Sequence, residues 1–189
     1  MAAQAKGALS AGASLSSADR TRFIAYTALL VAAGVLLPML FHQVGVAGPV
    51  FLPMHFPVIL GGLLFGPLCG LAVGFFSPVL STLTTGMPPA AAALVMVPEM
   101  MTYGVVCGWV RFGLAKPPWV ALLVAMIAGR AVMGLAVWVL IPLVNLHAGP
   151  WAFVVGAVGT GLPGIAAQAV LIPVLIRRLE RHVPGAASP

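Results

Sequence analysis

From Phe23 to Ile176 the only charged residues are Glu99, Arg111, Lys116 and Arg130, set among long apolar runs, and this limits the fold more than any other feature. No soluble domain of 189 residues could hide that much apolar surface, with 61% of the chain hydrophobic and 6% charged. A helix crossing a bilayer needs about 20 mostly apolar residues. The runs, broken by Pro, Gly and the rare charges, leave room for roughly six such helices in one domain. The expected fold is therefore all-α, a compact bundle of about six transmembrane helices packed in the lipid bilayer.

The net charge of +6 would suggest a nucleic-acid partner in a soluble protein, but the placement of the basic residues points to membrane topology instead. Lys6, Arg20 and Arg22 precede the first apolar run, Arg111 and Lys116 flank a short break, and Arg177, Arg178 and Arg181 follow the last run. With both termini cytoplasmic, all of these fall inside, as the positive-inside rule requires. The breaks then assigned to the outside, around Gly45 to Pro53, Gly86 to Pro89 and Leu143 to Pro150, hold no Lys or Arg. No nucleic-acid partner is expected, and the chain reads as a multi-pass protein of a bacterial cell membrane.

Residues 1–20, rich in Ala, Ser and Gly, read as a flexible cytoplasmic tail that ends at a helix start near Ser17 and Asp19. A cleaved signal peptide is the competing reading, but its apolar core normally runs about 7–15 residues, and Phe23 to Phe41 is almost uninterrupted. Residues 21–179 form the membrane domain and 180–189 a short cytoplasmic tail. The expected helices are Arg22 to Phe41, Leu52 to Phe65, Leu68 to Leu83, Ala91 to Phe112, Trp119 to Ile141 and Ala152 to Arg178. The second is too short to cross a bilayer unaided. Gly66-Pro67 should reverse the chain in a tight hairpin, because Pro cannot continue a helix and Gly permits the turn. The stretch from His42 to Met54 is a candidate lid or pocket wall. Gly62, Gly66, Gly70 and Gly74 recur every fourth residue, but the hairpin interrupts them, so the row is not read as one interface. Cys69 and Cys107 lie inside helices without metal-ligand spacing and read as packing residues.

Polar groups inside apolar runs are costly, which makes them the place to look for function. Glu99 lies about two turns from the outer end of the fourth helix and Arg130 about three turns from the outer end of the fifth. At those depths they can pair or share a polar ligand. Tyr103 follows Glu99 by one helical turn, and Met96 and Met100 flank the same stripe. A pocket of Met and Tyr with one carboxylate and one guanidinium suits a small planar or carboxylated molecule. Arg130 favours an anion, because a guanidinium can clamp a carboxylate with two hydrogen bonds. The alternative is a buried pair that only fixes helix register. Asn145 and His147 in the last outside loop, and Gln168 within the last helix, complete the candidate contacts, with solvated loop residues and an interhelical hydrogen bond as their alternatives. On the first helix, Ala25, Ala28 and Ala32 make a smooth stripe that would let another helix approach closely.

Five segments together resemble the substrate-binding components of energy-coupling factor (ECF) transporters: Phe51-Leu-Pro-Met-His-Phe-Pro-Val, Gly66-Pro-Leu-Cys-Gly, Ser77-Pro, Thr85-Gly-Met-Pro-Pro and Pro98-Glu-Met-Met-Thr-Tyr-Gly. The resemblance runs from about Arg22 to Arg178. It implies high-affinity capture of a vitamin or related micronutrient in a pocket formed by the first outside loop and helices four to six. It also implies an Ala28-x-x-x-Ala32 face that docks on a membrane scaffold (T) subunit, with two cytoplasmic ATPase subunits supplying energy. His55, at the end of the first outside loop, joins the expected substrate contacts. The Met54-His55 pair resembles the Met-His start of nickel and cobalt binding subunits, but it is internal and has no second His at ligand spacing, so no metal is expected. The general vitamin branch is favoured: niacin, pantothenate, riboflavin, a pyridoxine-like compound or a queuosine precursor. The chain holds no phosphate-binding GxxxxGK[ST] loop for hydrolysing nucleotide itself, and no cofactor is implied. An intramembrane enzyme is the alternative from another class, and it lacks HExxH and GxSxG motifs. A stand-alone or ion-coupled carrier using Glu99 as its proton site is the third reading.

Overall fold

Proline and glycine end helices at Gly66-Pro67 and at the turn from Gly86 to Pro89, where a positive φ or a missing N–H stops hydrogen bonding along the axis. Pro38, Pro78, Pro98, Pro163 and Pro173, by contrast, lie inside helices. A computed structural model describes residues 17–43, 48–144 and 150–181. In it α1 spans Ser17–Gln43, α2 His55–Phe65, α3 Pro67–Thr85, α4 Ala90–Gly108, α5 Pro118–Val144 and α6 Pro150–Leu179. A single helical turn, Gly48–Phe51, precedes α2, and α4 ends in a π-helical turn, Trp109–Gly113. There is no strand among the described residues, so the all-α bundle is as expected. Five helices, all but α2, are long and apolar enough to cross a membrane. Most of the expected tails, 1–20 and 180–189, lies outside the described residues, at 1–16 and 182–189, as do residues 44–47 and 145–149 in the loops expected to face outside.

The short helix is the centre of the bundle. With 11 residues, α2 rises only about 16 Å, roughly half of a hydrocarbon core. Val58, Ile59 and Leu63 on it are fully buried, and the cluster they anchor draws in Val73 from α3, Tyr103 and Cys107 from α4, Ala121 and Ala125 from α5 and Ile172 and Ile176 from α6. A helix that ends at mid-depth leaves backbone groups that lipid could not satisfy, so it is viable only when protein surrounds it. By contrast α1 is peripheral, with Ile24 and Leu29 each 65% exposed. The expected start of α2 at Leu52 moves to His55, because Leu52 adopts a φ of 52° and Pro53 follows. The His55 N–H then donates to the Leu52 carbonyl at 3.0 Å.

At the other end of α2 the predicted hairpin forms. Gly66 takes a φ of 90°, its N–H donates to the Gly62 carbonyl at 3.1 Å, and Pro67 opens α3 at a position where a missing N–H costs nothing.

The glycine row is one interface after all, which corrects the sequence reading. A Cβ on Gly62 or on Gly70 would fall on the Gly104 backbone of α4, one on Gly74 would come within 2.6 Å of the Met100 carbonyl oxygen, and one on Gly108 would strike the Gly66–Pro67 backbone. The hairpin divides the row between α2 and α3, yet both helices present it to the same partner. Backbone-to-backbone contact of this kind is how helices associate where lipid removes the hydrophobic drive between them.

At the end of the bundle where α4 and α6 finish, the Arg111 guanidinium pairs with the Glu180 carboxylate and lies 5.6 Å from the Phe112 ring centroid. Cys69 and Cys107 are both buried free thiols, consistent with packing roles.

Gly104→Ala forces backbone apart at this interface and should lower stability by about 1–3 kcal/mol, the usual cost of overpacking. Gly159→Ala, where a Cβ meets nothing within 4 Å, should leave the melting temperature in detergent unchanged or raise it. Equal effects of the two changes would show that the glycine interface does not hold the bundle together.

Candidate functional site

A cavity of about 360 Å³ opens where the segment before α2 and the α3–α4 turn meet α1, α4, α5 and α6. That volume falls within the range of small-molecule sites. Its walls are mainly apolar, supplied by residues such as Pro38, Leu52, Met54, Val95, Met96 and Met133. The polar side chains on them are His55, Glu99, Arg130 and Thr160.

Glu99 and Arg130 are brought together as their depths suggested. Arg130 Nη1 donates to Glu99 Oε1 at 2.9 Å, with side-chain exposures of 15% and 3%. The Tyr103 hydroxyl donates to the same oxygen at 3.0 Å. Tyr103 can reach it because it lies one turn along α4 and because position 129 on α5 is glycine, where a Cβ would approach the Tyr103 ring to 2.6 Å. The His55 ring stands 5.2 Å from that of Tyr103, tilted by 56°. His55 is buried, and neither of its ring nitrogens has a hydrogen-bond partner. Arg130 Nη1 also lies 3.5 Å from the Met133 sulfur.

The mouth of the cavity is shaped by a turn in which the Met87 N–H and the Met87 and Pro88 carbonyls are bonded to side chains of α3, while the Pro89 carbonyl accepts from the Ala93 N–H of α4. The Ser81 hydroxyl donates to the Met87 carbonyl at 2.6 Å and the Thr82 hydroxyl to the Pro88 carbonyl at 2.9 Å. The Met87 N–H donates to the Thr85 hydroxyl oxygen at 3.1 Å. These bonds hold Met87, Pro88 and Pro89 against the cavity with an apolar surface facing it.

Of the expected contacts, His55, Met96, Glu99 and Arg130 line the cavity. Met100 and Tyr103 are buried behind it, and Tyr103 acts on it through Glu99. Gln168 is also buried, away from the cavity wall, with its Nε2 unpartnered. Asn145 and His147 lie outside the described residues. Sequence reasoning missed the contributions of Pro38, Met133, Ala157 and Thr160. Nothing local marks Met133, Ala157 or Thr160 as unusual, whereas Pro38, a proline inside a helical run, and the missed Met87-Pro88-Pro89 wall, in the Gly-Met-Pro-Pro sequence, each had a signal. No cluster of three metal-ligating side chains occurs among the described residues.

The alanine stripe faces outward on α1. Ala25, Ala28 and Ala32 are all exposed, and Ala28 and Ala32 floor an apolar groove of about 670 Å³ bounded by Phe23, Leu36, Phe76 and Leu80. Ala25 does not line it.

A family model described as the ECF transporter, substrate-specific component, matches residues 22–176. The chain belongs to this family. It is thus the substrate-specific part of a transporter and a multi-pass membrane protein, within a family of transporter components rather than enzymes. ECF substrate-specific components bind small substrates and work with a T scaffold and an ATPase module. No curated protein and no solved structure matches the chain.

Removing one partner of the buried pair should be worse than removing both. Arg130→Ala leaves Glu99 unpaired and should cost about 3–5 kcal/mol, whereas replacing both with apolar residues of similar volume should recover most of the loss. Thermal unfolding of Arg130→Ala beside Glu99→Leu/Arg130→Met measures the difference.

Proposed function

We propose that this cavity captures a vitamin or related micronutrient at the outer face of a bacterial cell membrane, and that the loaded protein delivers it through a T subunit driven by two cytoplasmic ATPases. The reading rests chiefly on one observation. A pocket of about 360 Å³, mostly apolar, gathers His55, Glu99 and Arg130 on its wall in a chain of the ECF substrate-specific family. An apolar body with a few placed polar groups is what such a site recognises.

Charge placement supports the orientation. The cavity lies at the end of the bundle away from Arg111, Lys116, Arg177 and Arg178. With those residues and both termini at the cytoplasmic side, the cavity opens outward. The groove over Ala28 and Ala32 is the proposed docking face. It has little side-chain relief in its floor and apolar flanks, so a partner helix can approach it closely.

Capture and delivery are separable by mutation. Replacing Ala28 or Ala32 with Trp fills the groove and should leave cargo binding within twofold while abolishing uptake in cells that carry the ATPase module. Arg130→Ala should weaken cargo binding by tenfold or more. Native mass spectrometry of detergent-purified protein, screened against a vitamin panel, identifies the retained molecule. A folded protein that retains none, or uptake that persists without the ATPases, would overturn the reading.

A further inference from the structure

The sequence leaves open whether Arg130 clamps an anionic cargo or pairs with Glu99, and in the structure it pairs with Glu99. We infer that the captured cargo carries no net charge, since the only charged side chains on the cavity wall among the described residues are Glu99 and Arg130, and each already faces the other. This rests on the reading of the cavity as the capture site.

The guanidinium donates to Glu99 Oε1 at 2.9 Å. That oxygen is further fixed by the Tyr103 hydroxyl at 3.0 Å, and Tyr103 is held in turn by its fit over Gly129. The carboxylate is therefore tied to the wall from two sides and is not easily displaced. An anionic cargo that reached Arg130 would have to stand beside this carboxylate in a poorly screened interior, and a cationic cargo that reached Glu99 would meet the guanidinium. A neutral molecule meets neither penalty. It still finds hydrogen-bonding capacity on the same wall, because His55 is buried there with both ring nitrogens unpartnered, and a histidine ring can donate or accept. The remaining wall, with Met96, Met133 and the Pro88–Pro89 edge, is apolar and fits an uncharged ring or short chain.

Matched probes that differ in charge and little in shape test this directly. Nicotinamide with nicotinate, pantothenol with pantothenate, and pyridoxine with 4-pyridoxate, together with riboflavin, are titrated into the purified full chain by calorimetry near neutral pH. The wild-type protein should bind a neutral probe, and within its pair bind the anion at least tenfold more weakly. Glu99→Gln leaves Arg130 uncompensated and should shift that ratio at least tenfold toward the anion. The double variant Glu99→Gln/Arg130→Gln restores the balance and should restore the neutral preference. Should Glu99→Gln fail to fold, the wild-type ratio decides alone. Tighter wild-type binding of an anion overturns the inference and leaves the capture reading standing. Binding of no probe by folded protein overturns both.

Discussion

The close seating of α4 against the α2–α3 hairpin is the contact from which the rest of the bundle follows. Gly62 and Gly70 meet the Gly104 backbone, Gly74 meets Met100, and Gly108 meets the Gly66–Pro67 turn, so the three helices approach without side chains between them. In lipid there is little hydrophobic drive between helices, and association relies on close packing and polar contacts. Fixing α4 at that depth places Glu99 and Tyr103 beside the start of α2, where His55 begins the helix. It also keeps α2, too short to span a bilayer, enclosed by longer neighbours.

The buried pair is a different kind of constraint. At an effective dielectric near 20, two opposite charges 4 Å apart attract by about 4 kcal/mol, and removing each ion from water costs several kcal/mol. The two effects are of similar size, so Glu99 and Arg130 add little net stability by being together. What they do is fix geometry: α4 and α5 are pinned at one register, and the cavity wall gains a polar patch whose two charges balance. Tyr103 and Gly129 support that patch although neither lines the cavity, because Tyr103 orients the carboxylate and Gly129 makes room for the Tyr103 ring. Placing this patch in a cavity between helices lets the protein keep polar groups at membrane depth without exposing them to lipid.

Much of this was readable in the sequence, for identifiable reasons. Glu99 and Arg130 stood out because charge inside an apolar run is expensive, and simple counting along two helices put them at matching depths. The hairpin at Gly66-Pro67 was readable because proline and glycine act locally. The glycine row was misread because its meaning is not local: the turn splits it between two helices, and only a third helix touching both makes it one surface. The start of α2 was placed three residues early, since the positive φ at Leu52 has no sequence signature in a leucine. Thr160, Ala157 and Met133 reached the cavity wall unannounced, as ordinary residues do when their position depends on how helices cross.

The sequence by itself determined that this chain is a helical membrane protein, how its helices divide, and which rare charges matter, because bilayer thickness, backbone hydrogen bonding and the cost of buried charge act on each segment independently. Only the tertiary structure decided that Arg130 is already engaged by Glu99, that Tyr103 supports the site from behind, and that a cavity of about 360 Å³ forms between the helices. Those are properties of distances between segments remote in the chain. They are set by which backbones can touch, and no single helix carries that information.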